Sequence, residues 1–558
     1  MLALLRQLFL KPLFATELIA ISFFINVLAL ATSIYVIQVL NRYVSHGIDS
    51  TLLTLTAGVV LAVVFEFVFR QLRLKLAQGV TVPPAYNLLL MVFAQSVSIR
   101  SALLDHLSSS QRREVISAPS TIARIYGPNS LATLLDLPFA LMFLGVLFLI
   151  QVQVAWVASL FILAGFLVSA FSHLSLRSDQ QQQLQASGEA GAMAVSGMRR
   201  PDAVRAFNAQ EVLQGRWKSH QQKALLAGRK LEARKEFFQS LTRTIGSLMS
   251  VAVIGVGALL TVAGEMDMGL MIGANIVAAR AMAPIIAFAQ LGPAFNEVAR
   301  AMSLLKGFAQ LAHERQGGRR LADLKQGVAF HDLAFAHLNE NDPLFESLSL
   351  SLTEGKSLLV VGGNGTGKTT LSRLLMGLLE PVRGQILINE VTLDQIDLIW
   401  WRQQVAYLPQ EPDFFDGTIR ENLMTLNPAI TEEQILQVTA EAGLSQFLQN
   451  HPKGLEALLY NDGSNLAVGV RKRLALARAL TSQNQLAIFD EPMEGMDGPG
   501  RTAISQVLAA FIRNKKSVIV FSHDASLVRG ADIILNLDSK PVPTVTIRGA
   551  SSPEGKPS

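Results

Sequence analysis

The sequence predicts two domains, an all-α domain that spans a membrane and an α/β domain that follows it. Its 558 residues are 50% hydrophobic and 16% charged, which is too apolar a balance for a wholly soluble protein. The long apolar runs all lie before residue 292, and the remainder mixes apolar and charged residues as α/β domains do. A membrane half followed by a soluble half is therefore the expected organisation.

Six stretches are apolar enough to cross a bilayer as helices, which requires about 20 predominantly apolar residues each. Short connections follow the first, third and fifth stretches, and long polar connections follow the second and fourth. The first stretch has no small-residue cleavage site behind it, so we expect an anchor and not a signal peptide. The six predicted helices of a domain over residues 1–312 lie near 18–40, 52–69, 131–150, 152–171, 245–263 and 268–291.

Basic residues are concentrated in the long connections and are absent from two of the short ones. Lys and Arg are frequent in the long connections, 70–130 and 172–243, whereas the turns 151–153 and 264–267 have none. By the positive-inside rule, both long connections and both termini are expected in the cytoplasm. This placement accounts for the net charge of +5, so we expect membrane lipids and not nucleic acid as a partner. Cysteine is absent, which excludes disulfides and thiolate chemistry.

Polar residues in the helical half allow alternative interpretations. Glu66 lies four residues before Arg70, which favours a local ion pair over a place on a translocation path. Asn26 and Gln290 could each line a cavity or hydrogen-bond to a neighbouring helix. The segment 178–185, SDQQQQLQ, is typical of a solvated helix face.

A glycine-rich loop stands between a predicted strand and a predicted helix. The segment 357–375 reads SLLVVGGNGTGKTTLSRLL and matches G-x-x-x-x-G-K-[ST]. Glycines let backbone N–H groups surround phosphates, Lys368 adds a mobile positive charge, and the Thr369 hydroxyl can ligate Mg²⁺. An ordinary turn would not require this strand and helix, so we predict nucleotide binding with Mg²⁺. The binding residues are Gly362, Gly363, Asn364, Gly365, Thr366, Gly367, Lys368, Thr369 and Thr370.

A second predicted strand, in 485–492 (QLAIFDEP), ends in two acidic residues. Asp490 suits the Mg²⁺ shell, and Glu491 suits polarisation of a water at the terminal phosphate. An acidic pair is common by itself, but after a phosphate loop at this separation it is specific for nucleotide hydrolysis.

The remaining segments set the domain borders. Residues 328–335 and 348–352 alternate like a strand pair. We expect a polar linker over 313–327, the α/β domain over 328–538, and a disordered tail over 539–558.

Together the two halves resemble an ATP-binding cassette (ABC) exporter half-transporter, in which six helices are fused to one cassette. The membrane half is most similar to the permease/ATPase of type I secretion systems, in residues 34–58, 134–150 and 273–291. The resemblance implies an all-α six-helix domain of the type I ABC exporter kind, fused to an α/β P-loop NTPase cassette, in a bacterial inner membrane. No peptidase-like domain precedes the first helix, so we expect no leader-peptide cleavage.

The resemblance also implies roles for individual residues around ATP and Mg²⁺. Gln410, in YLPQ, would sense the γ-phosphate and Mg²⁺ and signal to the membrane helices. Asp490 would hold Mg²⁺ through water, and Glu491 would be the general base. His523, in FSHD, would be the switch histidine at the γ-phosphate, and Asp497, in MEGMD, would lie in the loop that crosses to the partner cassette.

An aromatic residue near 333–337 would stack on the adenine. His337 is the predicted residue, with Phe335 as the alternative if the register differs.

The signature loop departs from the family pattern L-S-G-G-Q. The loop comprises Leu466, Ala467, Val468, Gly469 and Val470, and a well-matched basic helix follows from Arg471. In the family, this loop crosses the dimer interface and holds the γ-phosphate bound by the other subunit. Ala467 lacks the serine hydroxyl, and Val468 places a branched side chain where close backbone approach is needed. Both ATP sites of a homodimer would be impaired, so a heterodimer with a second ABC half-transporter is favoured.

The leading hypothesis is ATP-driven export of a protein or peptide, with a periplasmic adaptor, an outer-membrane duct and the secreted polypeptide as partners. One alternative is a regulatory or scaffold half that binds ATP and hardly hydrolyses it. Another is an exporter of lipids or small molecules, which the general cassette resemblance allows.

Overall fold

The computed structural model describes residues 12–44, 49–105, 107–199, 201–322, 324, 326–337, 342–523 and 530–548. The chain forms two compact units. Unit 1 contains residues 1–99 and 105–312, and unit 2 contains residues 100–104 and 313–558.

The described residues of unit 1 form helices joined by short non-helical segments. Six of its helices, or helix pairs in line, are long and apolar enough to cross a membrane, which confirms the six predicted spans. The helices are α1 (Pro12–Gln38), α2 (Asp49–Ser98), α4 (Ser109–Ile125), α5 (Pro128–Asp136), α6 (Phe139–Ile150), α7 (Val152–Arg199), α8 (Pro201–Ala206), α9 (Gln210–Val262) and α10 (Met268–Ala309). Residues 101–104 of helix α3 (Ser101–Asp105) belong to unit 2.

Three of these helices extend far beyond the predicted spans. Helices α2, α7 and α9 have 50, 48 and 53 residues, and a rise of 1.5 Å per residue makes each about 70 to 80 Å long. Because a bilayer core is only about 30 Å thick, each helix continues well past it. The predicted long polar connections are therefore largely continuations of the membrane helices.

One of these extensions carries a buried ion cluster. The Asp179 side chain, in α7, is 2% exposed and lies 2.8 Å from Lys230 Nζ and 2.5 Å from Arg234 Nη1, both in α9. These two cations donate hydrogen bonds that hold the pKa of Asp179 below its ordinary value despite burial. The interpretation of 178–185 as a solvated face is therefore wrong at Asp179, because the facing helix supplies the charges that make burial tolerable.

Two of the polar residues singled out in the apolar helices, Glu66 and Asn26, have partners. Glu66 accepts a hydrogen bond from Arg70 Nη2 at 2.5 Å, which confirms the local ion pair. Asn26 donates to Asp136 Oδ1, in α5, at 3.3 Å and also lines a cavity, so both alternatives hold for it.

Unit 2 is an α/β fold around a mainly parallel sheet. The six-stranded sheet has the order β12-β11-β3-β10-β9-β6, in which only β12 is antiparallel, and a four-stranded antiparallel sheet has the order β2-β1-β4-β5. The strands are β1 (Val328–Phe335), β2 (Phe345–Leu352), β3 (Ser357–Val361), β4 (Arg383–Ile388), β5 (Val391–Thr392), β6 (Val405–Leu408), β7 (Gly417–Thr418), β8 (Leu458–Leu459), β9 (Leu486–Asp490), β10 (Ser517–Phe521), β11 (Ile533–Asn536) and β12 (Thr544–Ile547).

Apolar packing covers both faces of the six-stranded sheet. Along β3, Leu359 packs into one hydrophobic core while Leu358 and Val360 pack into another, because alternate side chains of a strand point to opposite faces. The covering helices are α11 (Lys368–Leu375), α12 (Leu398–Gln404), α13 (Ile419–Met424), α14 (Glu432–Glu441), α15 (Ser445–Asn450), α16 (Val468–Leu480) and α17 (Gly498–Arg513).

Two predicted borders need correction. The segment 313–327 is not a free linker: Arg319 N–H donates to Gln395 O at 2.8 Å, and Arg320 pairs with Asp397 at 2.8 Å, so it is bound to unit 2. The predicted disorder from residue 539 is wrong for 539–548, because β12 pairs with β11 there. Residues 549–558 of that tail lie outside the described residues.

Candidate functional site: a phosphate-binding cavity

Parallel strands bring the predicted site residues to one edge of the sheet. Phe521 of β10 lies opposite both Val360 of β3 and Asp490 of β9, so the three strands end side by side. The phosphate loop, the acidic pair and His523 all follow these carboxyl ends, which is where open α/β sheets bind ligands.

The loop after β3 has the backbone that its glycines predict. Gly365 and Gly367 have φ angles of +77° and +107°, in the region that favours glycine. Gly367 caps the N-terminus of α11, whose first residue is Lys368. The Lys368 ammonium donates to Gly362 O at 2.6 Å and Gly363 O at 3.0 Å. The loop is thus curled around its own lysine, with the helix N-terminus beside it.

Glu491 stands between two cationic or proton-carrying groups. Its Oε1 lies 3.3 Å from Lys368 Nζ, and its Oε2 lies 3.0 Å from His523 Nδ1. Glu491 is buried and has a φ of +44°, a backbone conformation that costs roughly 1–3 kcal/mol for a non-glycine residue. The surrounding structure therefore holds this carboxylate in a strained position that aims it at the lysine and the histidine.

Asp490 is fully buried and only partly satisfied. Its Oδ2 accepts from Ser372 Oγ at 3.1 Å, while its Oδ1 has no hydrogen-bond partner. Burial raises the pKa of this carboxyl above its ordinary value. A buried oxygen with an unused lone pair is what a cation ligand would require.

Gln410 connects the phosphate loop to a second acidic side chain. Thr369 Oγ1 donates to Gln410 Oε1 at 3.1 Å, and Gln410 Nε2 donates to Glu494 Oε2 at 3.0 Å. Because a carboxylate can only accept, Glu494 fixes the amide so that its oxygen faces Thr369. Hydroxyl, amide and carboxylate oxygens form a donor set that fits Mg²⁺.

Part of this group of residues lines a cavity of about 300 Å³. His337 lines it together with Lys368, Gln410 and Glu491, whereas Phe335 is buried against Phe345 in the core. Of the two candidates for the aromatic contact, His337 is thus the one at the cavity. The remaining lining residues are Leu344, Gly363, Asn364, Gly365, Gly367, Thr369 and Thr370.

The signature loop lies apart from this cavity. Ala467 is the N-cap of α16 and makes no side-chain cap hydrogen bond, and the Val468 side chain is 51% exposed. Leu466 and Val470 pack against the hydrophobic core, and none of residues 466–470, all of which are described, lines the cavity. A Cβ on Gly469 would come within 3.5 Å of Asp497 Oδ2, so the two loops are in close contact. Asp497 also pairs with Arg473 at 3.0 Å and caps α17 through the N–H of Gly500.

Three residues of the site were not predicted from the sequence. Ser372, which holds Asp490, lies one helical turn after Thr369 and could have been found from that spacing. Glu494 and Asp538, which accepts from Gly363 N–H at 2.8 Å, come from separate loops, so no local pattern signals them.

Comparison with known families identifies both units. The ABC transporter transmembrane region family matches residues 16–283, and the ABC transporter family matches residues 345–494.

The curated relatives are similar along most of their length. The chain is 25% identical over 529 residues to the alpha-hemolysin translocation ATP-binding protein HlyB of Escherichia coli O157:H7. It is 24% identical over 525 residues to the toxin RTX-I translocation ATP-binding protein of Actinobacillus pleuropneumoniae. It is also 24% identical over 523 residues to the leukotoxin translocation ATP-binding protein LktB of Mannheimia haemolytica. Each match covers 94% of this chain and 74% of the relative.

A solved structure has the same fold. The structure of a bacterial Atm1-family ABC exporter with ATP bound matches with a TM-score of 0.82 and 18% identity, covering 94% of this chain and 93% of that one.

Proposed function

Because the chain belongs to the ABC transporter family, we propose that it is the ABC component of a type I secretion system, which uses ATP hydrolysis to export a protein or peptide. One observation carries the ATPase part of this proposal. Glu491 lines the cavity at the strand ends and contacts both Lys368 and His523. The named relatives translocate toxins, which supports a polypeptide cargo.

The residues of the site have the following roles in this proposal. The glycine-loop amides and Lys368 would bind the triphosphate, and His337 would stack on the adenine. Thr369, Gln410 and Asp490 would hold Mg²⁺, which neutralises phosphate charge when bound. Glu491 would accept the proton of the attacking water, and His523, at 3.0 Å from it, would orient that carboxylate toward the γ-phosphate.

The signature loop determines the partner that we propose. Ala467 offers no hydroxyl, and exposed Val468 presents a branched side chain at the surface that would meet a neighbouring cassette. A homodimer would therefore have two impaired sites. In a heterodimer, a partner with an intact signature would complete the site of this chain, and Asp497 would lie at the shared interface.

The remaining partners follow from the secretion role. The chain would lie in the bacterial inner membrane, surrounded by lipids, with both termini in the cytoplasm. It would contact a periplasmic adaptor, an outer-membrane duct and the secreted polypeptide.

An export assay in cells that carry the complete system tests the function. Glu491→Gln removes the proton acceptor and preserves the side-chain size, so we expect export to stop while the protein remains in the membrane. Glu354→Gln, in an exposed turn before β3, is the matched control and should export normally. Normal export by Glu491→Gln would reject the hydrolytic role and favour the regulatory alternative, which the signature loop also suggests.

The heterodimer is tested separately. We expect the chain purified alone to hydrolyse ATP far more slowly than the complex with its partner. Turnover by the chain alone at the rate of the complex, abolished by Glu491→Gln, would reject the heterodimer and leave the exporter function intact.

A further inference from the structure

A second cavity lies inside unit 1, among the helices that span the membrane. It has a volume of about 210 Å³ and is bounded by α1, α2, α5, α6 and α10. Three arginines line it, together with one acidic residue, Asp136. Arg70 and Arg73 lie just past the cytoplasmic end of the predicted span 52–69, whereas Arg280 lies within the predicted span 268–291. An arginine at membrane depth is costly and commonly marks a ligand path. The arginines are Arg70, Arg73 and Arg280.

Two of the three arginines have carboxylate partners. Arg70 lies 2.5 Å from Glu66, and Arg73 Nη1 lies 2.5 Å from Asp136. The Arg73 side chain is 9% exposed, and its Nε has no hydrogen-bond partner. Arg73 is therefore a buried guanidinium that lines the cavity, and its Nη1 already contacts Asp136 and Ser22 Oγ.

Arg280 has no such partner among the described residues. It lies 12 residues after the first residue of α10, Met268, which places it about 18 Å along that helix. That depth falls inside a hydrocarbon core of about 30 Å. The three arginines carry three positive charges, and Glu66 and Asp136 carry two negative charges, so the cluster has a net charge of +1.

We propose that this cavity binds one carboxylate of the transported polypeptide, an acidic side chain or the chain terminus, between Arg280 and Arg73. A guanidinium matches a carboxylate with two parallel hydrogen bonds, and a single negative charge balances the cluster. Ile25, Phe143 and Ala287 provide an apolar wall for the methylene groups beside the carboxylate. The volume fits one side chain and is too small for a lipid with its acyl chains. This inference rests on the proposed export of a polypeptide.

Calorimetry on the full chain in phosphatidylcholine nanodiscs tests the site. The probes are two short Ser/Gly peptides, N-acetylated and C-amidated, with one central Glu in the first and Gln in the second. We expect the Glu peptide to bind about tenfold more tightly, as a charge-assisted pair predicts. Equal affinities would overturn the proposal.

Two pairs of variants assign any preference to this cavity. Arg280→Gln should abolish the preference for Glu, and Arg280→Lys should retain part of it. Ala283, which also lines the cavity, lies one turn from Arg280 on α10. Ala283→Glu should abolish the preference by supplying an internal carboxylate, whereas Ala283→Gln should keep it. A preference that persists in both Arg280→Gln and Ala283→Glu would overturn the proposal.

Two further measurements separate the remaining explanations. Binding of an ATP analogue to unit 2 should be the same in every variant, because the nucleotide cavity lies in the other unit. Nanodiscs with phosphatidylglycerol test a lipid occupant: loss of the Glu preference there would overturn the polypeptide assignment. If the wild-type protein secretes its cargo yet binds both peptides equally, the inference fails and the export function stands.

Discussion

The phosphate loop and the signature loop of the same cassette differ in how complete they are. Around the phosphate loop, Lys368, Glu491 and His523 are joined by contacts of 3.3 Å and 3.0 Å within one chain. The signature loop has an N-cap without a side-chain hydrogen bond, Ala467, and an exposed branched residue, Val468. One region brings together the groups that we propose for ATP hydrolysis, and the other lacks the serine and the first glycine of the L-S-G-G-Q pattern.

This difference is the basis of the heterodimer that we propose. Glu491 is buried in a strained backbone conformation, which a cassette without a catalytic role would not require. Because the phosphate side is intact, the proposed loss of function is confined to what this chain offers its partner.

The largest expected effect is the loss of the Lys368 charge. Lys368→Ala should weaken binding of a fluorescent ATP analogue about a hundredfold, because a desolvated charged contact is removed. Lys356→Ala is the matched control: Lys356 is half exposed and pairs with Asp532 at 3.0 Å away from the cavity. Unchanged affinity in Lys368→Ala would mean that the phosphate loop is no more functional than the signature loop.

A smaller effect is expected from Glu494, which orients the Gln410 amide. Glu494→Ala removes the acceptor of Gln410 Nε2 and should raise the Mg²⁺ concentration needed for tight ATP-analogue binding about tenfold. Glu494→Gln still offers an amide oxygen as an acceptor, so it should raise the required Mg²⁺ concentration less than Glu494→Ala does. If titrations with Mg²⁺ give the same midpoint for both variants and the wild type, Gln410 is positioned by other contacts.

The smallest effect concerns His337. His337→Ala should weaken ATP binding about fivefold through loss of stacking on the adenine, whereas His337→Trp should strengthen ATP binding. Competition with inorganic triphosphate, which has no base, should give equal affinities for all three proteins. A parallel loss for triphosphate would show that His337 contributes to the phosphate region and not to the base.

The sequence predicted the phosphate region well because its residues stand in short local patterns. The glycine loop, the acidic pair and the segment before His523 each combine a strand with the residues at its end, and parallel pairing brings those ends together. Glu494 and Asp538 were not predicted, because loops from different parts of the chain place them.

In the helical unit the sequence predicted the spans but not the polar contacts between them. A run that is apolar on all sides gives no face, so nothing in it shows that Asp136 would meet Arg73. The Gln-rich segment 178–185 was misinterpreted because the two cations that pair with buried Asp179 lie on another helix. The ordered strand over 544–547 was missed because β11 supplies its partner.

The most direct test of the asymmetry is repair of the signature loop. Ala467→Ser combined with Val468→Gly restores the hydroxyl and the close backbone approach, and one such donor is typically worth 10²–10³ in rate. We predict that the repaired chain, purified alone, hydrolyses ATP about a hundredfold faster than the wild-type chain, and that adding Glu491→Gln abolishes the gain. A wild-type chain that alone already reaches the repaired rate would contradict the account.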